Sequence, residues 1–372
     1  MKYYLIAGEA SGDLHGANLI KAIRKLDHEA QFRAWGGDKM QAAGAELVKH
    51  YRELAFMGIA EVIANLGTIL KNMAFCKEDL LQYQPNQLIL IDYPGFNLRM
   101  AKYAHQQGFK VTFYISPTVW AWKQSRVQII KKYVDRMVVI LPFEQAFYAR
   151  FGVQVDFAGH PLLDELEEEK KIAKENFLEI NQLDKKPMVA VLPGSRIQEI
   201  KKMLSALLNV APRFPEYQFV VAGMTAVPRE AYHWKDQNVK IVFDQTHALL
   251  RHASAALVTS GTATLETALL GTPQVVVYKT SPLTYAIGKL MVKIQYFSLV
   301  NLIMDEAIVT ELLQQDFTTD RLAMELDKIL HDKATQTRIK TAYADLRKKL
   351  GKPGVSDRIA KLIVDPSALK AE

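Results

Sequence analysis

Short apolar runs recur from the first residues, each ending in a turn of small or polar residues and followed by a helical pattern. Few folds are open to a chain with that order. Residues 2–7, 31–35, 87–92, 110–115 and 136–141 read as strands of one series. Past the acidic run at 164–171, residues 188–192, 217–222, 239–243, 255–259 and 274–278 read as a second series. Strand–helix alternation of this kind predicts parallel, doubly wound sheets, and 372 residues are enough for two. The expectation is an α/β chain of two Rossmann-like domains, residues 1–163 and 164–345, facing a cleft. A helical tail over 346–372 is expected to pack on the first domain.

Composition narrows the function. Hydrophobic residues at 49% and charged residues at 23% are those of a globular protein and exclude low-complexity and collagen-like classes. The single cysteine, Cys76, allows no internal disulfide or cysteine metal cluster and reads as a small apolar filler. An acidic residue, Glu9, arrives too early for a secretory apolar region, and no uncharged apolar run reaches ~18 residues, so a cytoplasmic protein is expected. Residues 1–163 hold 19 Lys and Arg against 14 Asp and Glu, a net +5 of the chain's +7. That excess suits an anionic ligand or membrane surface. No dense basic block accompanies it, so nucleic acid is not an expected partner.

In open parallel sheets ligands gather beyond the carboxyl ends of the strands. Five turns there carry chemistry. Gly8-Glu9-Ala10-Ser11-Gly12-Asp13 has amides and glycines suited to an anion or a sugar, or is a tight turn with Asp13 near a helix cap. It matches neither the dinucleotide fingerprint nor a P-loop. Asp92-Tyr93-Pro94-Gly95 sets a carboxylate at a strand end, as a general base or as a cap on the next helix. Ser116-Pro117-Thr118-Val119-Trp120-Ala121-Trp122 offers aromatic faces to a sugar or acyl chain, or to the core, and His160 is a substrate contact or a turn histidine. Leu192-Pro193-Gly194-Ser195-Arg196 joins a helix start to a guanidinium, a pairing fit for a diphosphate. Ser260-Gly261-Thr262 repeats the design, and Glu266 follows a turn later, placed to accept from ribose hydroxyls. The nine histidines show no metal spacing, so no metal or other cofactor is expected. The segment 56–75, with Phe56, Met57, Ile63, Leu66 and Leu70, is apolar enough for an interfacial helix or a core helix.

Together these motifs, with Phe56-Met57-Gly58 and Leu141-Pro142-Phe143-Glu144, resemble the lipid-A-disaccharide synthase family of GT-B-fold glycosyltransferases along nearly the whole chain. The resemblance implies transfer of 2,3-diacylglucosamine from UDP to 2,3-diacylglucosamine 1-phosphate, forming a β-1,6 linkage at the cytoplasmic face of the inner membrane. It implies catalytic roles for Asp92, Arg196 and Glu9. It implies substrate or nucleotide contacts for Ser11, Gly12, Gly194, Ser195, Ser260, Gly261, Thr262, Glu266, Asn301, Trp120 and His160. Membrane contact falls to Phe56, Met57, Ile63, Leu66 and Leu70, no metal is implied, and the tail is free to dock at home or in a homodimer. The sequence departs from the family at Gly95, commonly an acid, and Val300, commonly a proline. Rival readings are a UDP-N-acetylglucosamine 2-epimerase, another lipid-linked sugar transferase, and a non-enzymatic sugar-binding protein.

Overall fold

β1 (Lys2–Ala7) is buried along all but its first residue, as a central parallel strand must be when helices cover both faces. Tyr3, Leu5 and Ala7 enter one core and Tyr4 and Ile6 the other. The computed structural model describes residues 1–54, 66–169, 171–234, 239–281, 285 and 295–365. β2 (Gln31–Gly36), β3 (Glu46–His50), β4 (Gln87–Ile91), β5 (Lys110–Tyr114), β6 (Arg136–Val139) and β7 (Asp156–Phe157) complete a parallel sheet ordered β3-β2-β1-β4-β5-β6-β7. A second parallel sheet holds β8 (Met188–Leu192), β9 (Gln218–Gly223), β10 (Lys240–Phe243), β11 (Ala255–Thr259), β12 (Gln274–Tyr278) and β13 (Thr310–Leu313). Its order is β10-β9-β8-β11-β12-β13. Both are doubly wound α/β sheets with a helical C-terminal segment, the GT-B architecture.

The chain divides into two compact units, Met1–Glu168 with Leu350–Glu372, and Glu169–Lys349. In the first, the helix Ala10–Leu26 packs against the helix Val355–Val364, with Leu19, Ile20, Ile23, Ile359 and Ile363 in one buried cluster. The acidic run at 164–171 begins with a buried carboxylate. Asp164 is only 8% exposed; its Oδ1 accepts from the amides of Gly354 and Val355 at 2.7 and 2.9 Å, and its Oδ2 from Ser356 at 2.8 Å. These are first-turn amides that a helix cannot bond internally, so a carboxylate from 190 residues upstream caps the last helix. Arg358 reinforces the junction by donating to the Ala158 carbonyl at 2.9 Å.

The helix Leu66–Tyr83 buries Met73, Cys76 and Leu80 and leaves Leu66, Leu70 and Phe75 about half exposed. Phe56, Met57 and Ile63 lie outside the described residues. No helix among the described residues is long and apolar enough to cross a membrane.

Replacing Asp164 by Ala is expected to cost about 1–3 kcal/mol of unfolding free energy, because three amides, that of Val355 buried and the other two part-buried, lose their acceptor. Asp164→Asn, which keeps one acceptor oxygen, should recover part of it. Urea unfolding measures both; a change for Asp164→Ala below about 0.5 kcal/mol would remove the cap from the account.

Candidate active site

Each sheet reverses its winding at one place, between β1 and β4 in the first and between β8 and β11 in the second. Helices leaving neighbouring strands depart to opposite faces there, opening a crevice at the carboxyl ends. The turns singled out around Glu9 and Asp92 follow β1 and β4; those around Arg196 and Ser260 follow β8 and β11. The fold thus brings together, within each unit, pairs of turns that sequence alone presents separately.

In the first unit Asp92 and Tyr93 both sit in the left-handed region, at φ +46° and +49°. Non-glycine residues held there cost about 1–3 kcal/mol each and persist only where their surroundings fix them. Here the fixing is visible. The Asp92 amide donates to the Tyr114 carbonyl at 3.1 Å, and the buried Asn97 Nδ2 donates to the Asp92 carbonyl at 2.7 Å. The Tyr93 ring lies over Gly8, where a Cβ would come within 2.4 Å of it. The Asp92 carboxyl caps no helix; the helix Pro94–Gln106 begins after Tyr93 without a side-chain cap. Burial pushes Asp92 up to about 6, the nearby Glu9 adds to the rise, and the Tyr93 amide opposes it. Glu9 itself is exposed at the start of the helix Ala10–Leu26, as is Ser11.

Several other first-unit residues are engaged in the structure of the fold itself. Gly12 is buried, and a Cβ there would stand 2.9 Å from that of Ala7, so it permits close approach of helix to strand. Asp13 is spent on structure, accepting from the amides of Gly37, Lys39 and Met40. His160 is buried in its turn: it is 8% exposed, and its Nδ1 accepts from the Leu162 amide at 3.2 Å. Burial, with His15 beside it, drives it down to about 3, so it is neutral. Trp120 is half buried and meets Phe143 edge-on at 5.1 Å. Next to it lies Glu144, a buried carboxyl whose place in Leu141-Pro142-Phe143-Glu144 carries no signal of a task. It accepts from the Leu141 amide at 3.0 Å, and burial pushes it up to about 7. Ser116 and Tyr148 share a 2.7 Å hydrogen bond in the same pocket of polarity.

In the second unit Gly194 takes φ +116°, a conformation glycine adopts readily. That turn leads into the helix Ile197–Leu208 with Ser195 and Arg196 exposed. Glu199 caps it, Oε2 accepting from the Ser195 and Arg196 amides at 3.3 and 3.4 Å while Oε1 lies 3.5 Å from the Arg196 guanidinium. An anion arriving at those amides therefore exchanges places with one already present in the fold. Gly261 and Thr262 are exposed, with nothing within 4 Å of where a Gly261 Cβ would be. The Ser260 hydroxyl donates to the Phe297 carbonyl at 3.0 Å. Glu266 is partly exposed, one turn into the helix Ala263–Leu269, with His247 Nε2 3.4 Å from its Oε2.

Asn301 does not present its amide to a ligand. It is 1% exposed; its Nδ2 donates to Val309 O and Glu311 Oε1, and its Oδ1 accepts from the Ile308 and Val309 amides, each at 2.9 Å. All four hydrogen-bonding positions are engaged, so Asn301 shapes the segment leading into β13. Glu311 completes that knot by accepting from Phe297, Ser298 and Asn301, a role with no sequence signal beyond one acid in a short strand. Among the described residues no group of three or more His, Cys, Asp or Glu is placed to hold a metal ion.

A family model described as Lipid-A-disaccharide synthetase matches residues 3–363. The chain is 38% identical to the lipid-A-disaccharide synthase of Geobacter sulfurreducens, over 97% of this chain and 96% of that protein. It is 40% identical to that of Acidobacterium capsulatum, over 95% and 92%. Among solved structures, UDP-GlcNAc 2-epimerase from Neisseria meningitidis bound to UDP-GlcNAc shares the fold, with a TM-score of 0.65 at 13% identity over 98% of this chain and 100% of that one. With two turns at each switch point and a near-full-length match, the chain belongs to the lipid-A-disaccharide synthase family.

Proposed function

We propose that the protein transfers 2,3-diacylglucosamine from its UDP derivative to the 6-hydroxyl of 2,3-diacylglucosamine 1-phosphate, with inversion, giving a β-1,6-linked disaccharide 1-phosphate and UDP. The observation that carries the chemistry is Asp92, a half-buried carboxyl in a fixed, left-handed turn with its pKa pushed up to about 6. At neutral pH such a group is mostly ionised yet accepts a proton more readily than an ordinary aspartate. The acceptor oxygen bonds to the anomeric carbon as the bond to the diphosphate breaks; the electron pair leaves with UDP and the proton goes to Asp92.

The charge growing on the diphosphate is met by Arg196 and by the amides of the Gly194 and Ser195 turn, displacing Glu199. Ser260, Gly261 and Thr262 flank the same switch point, and Glu266 takes the ribose. In this reading residues 1–163 serve the acceptor, through Asp92 with Glu9 beside it and through Ser11 and Trp120, and residues 164–345 serve the sugar nucleotide. Both substrates carry acyl chains, so the enzyme works at the cytoplasmic face of the inner membrane. The exposed Leu66, Leu70 and Phe75 support docking through the helix Leu66–Tyr83.

Incubating the protein with UDP-2,3-diacylglucosamine and 2,3-diacylglucosamine 1-phosphate in detergent tests the reaction: UDP and disaccharide should appear in equal amounts and only with both substrates present. UDP released without acceptor would point to an epimerase-like reaction. Asp92→Asn should slow turnover roughly 10²–10⁴-fold with UDP affinity intact. In the wild type kcat/KM should rise with pH through about 6, because only the ionised carboxylate accepts the proton. Near-normal turnover of a folded Asp92→Asn variant would take Asp92 out of the base role.

Arg196→Ala should weaken UDP binding roughly 10- to 100-fold, the worth of a charge-assisted hydrogen bond; unchanged affinity in a calorimetric titration would exclude the clamp. Leu70→Glu should reduce binding to anionic phospholipid vesicles while leaving UDP affinity alone. Equal sedimentation with vesicles would return that helix face to ordinary surface.

A further inference from the structure

In the second unit four charged side chains alternate in sign from Glu266 inward. His247, on the helix Thr246–His252, has its Nε2 3.4 Å from Glu266 Oε2 and its Nδ1 3.2 Å from Glu169 Oε2. Arg251, one turn further along that helix, places Nη2 3.1 Å from the same Glu169 oxygen. An imidazole with a carboxylate at each nitrogen donates at both only as the cation. Glu266 first, then Glu169, hold the His247 pKa above its ordinary value. The groups facing the ring are Glu266 from the helix Ala263–Leu269 and Glu169 from the segment ahead of the helix Lys174–Ile180. Arg251, on the ring's own helix, acts through Glu169.

We infer that His247 is the positioning residue for the Glu266 carboxylate, holding Oε2 so that Oε1 is presented to the ribose of the nucleotide. This rests on the reading of Glu266 as the ribose acceptor. A glutamate left to itself samples several rotamers and must give them up when ligand binds. An imidazolium bonded to one carboxylate oxygen removes that freedom beforehand, and Glu169 with Arg251 fixes the imidazolium in turn. Stability alone gives the arrangement little reason to exist: the four side chains are 22–32% exposed, and ion pairs that open to solvent contribute little to folding. A bound ribose gives it one, since with Oε2 engaged the remaining oxygen must be held where the ribose hydroxyls can donate to it.

The test compares UDP with 2′-deoxy-UDP by calorimetry on the full chain, in the wild type and in His247→Leu, His247→Gln and Glu266→Ala. For His247→Leu we expect UDP to bind roughly three- to tenfold more weakly, with 2′-deoxy-UDP affected less, so that the preference for the ribose hydroxyl falls toward one. His247→Gln, whose amide can still donate toward Oε2, should restore most of that preference. In the wild type the preference should also decline as pH rises past the imidazolium's raised pKa, and in His247→Gln it should not. A His247→Leu variant that keeps the wild-type preference, while Glu266→Ala loses it, overturns the positioning role and leaves Glu266 at the ribose. A Glu266→Ala variant that keeps the preference overturns the premise itself. A preference lost in His247→Leu together with a fall in unfolding midpoint not shared by Glu266→Ala would also overturn it, as general damage to the unit.

Discussion

The pairing of two strands distant in sequence at the centre of each parallel sheet is the constraint on which the rest depends. β1 and β4 are separated by two strands and several helices, yet Ala7 pairs with Ile91 and the turns beyond them lie side by side. β8 and β11 repeat this, with Leu192 beside Val258. Because the winding reverses there, neither crevice is filled by a crossover helix, and both receive backbone amides and short side chains from two directions. Tyr93 over Gly8 shows how tightly the first is built: the same contact fixes the left-handed turn that aims Asp92.

Much of the fold was legible because central parallel strands are nearly continuous apolar runs. Ten of those runs lie on observed strands, from Lys2–Ala7 to Gln274–Tyr278. The strands that escaped notice, β3, the two-residue β7 and β13, lie at sheet edges. Glu46–His50 is only partly buried and carries three polar residues, and Thr310–Leu313 spends Glu311 on the segment before it. Neither shows the pattern that two-sided burial imposes.

The candidate site was legible at the level of turns and less so at the level of single side chains. Small residues after a strand announce where a ligand can approach, which is why Asp92, Arg196, Ser260 and Glu266 fall at the switch points. What an asparagine or histidine does with its ring or amide depends on partners the sequence does not name. Asn301 has every hydrogen-bonding position engaged by its own segment, and His160 gives its Nδ1 to its own turn. His247, one of nine histidines without a motif, stands against the Glu266 carboxylate.

The cap that Asp164 places on the helix Val355–Val364 gives the chain a temporal order. On the ribosome the first unit emerges with one face of the helix Ala10–Leu26 uncovered. The segment that covers it is made only after the whole second unit. At about 5–20 residues per second that interval is on the order of 10–40 s. For its duration the cluster that holds Leu19, Ile20 and Ile23 lacks Val355, Ile359 and Ile363, and three amides that will satisfy a buried aspartate do not yet exist. The first half of the protein to be synthesised is thus the last to be finished, and its completion is a signal that the second half has already been made.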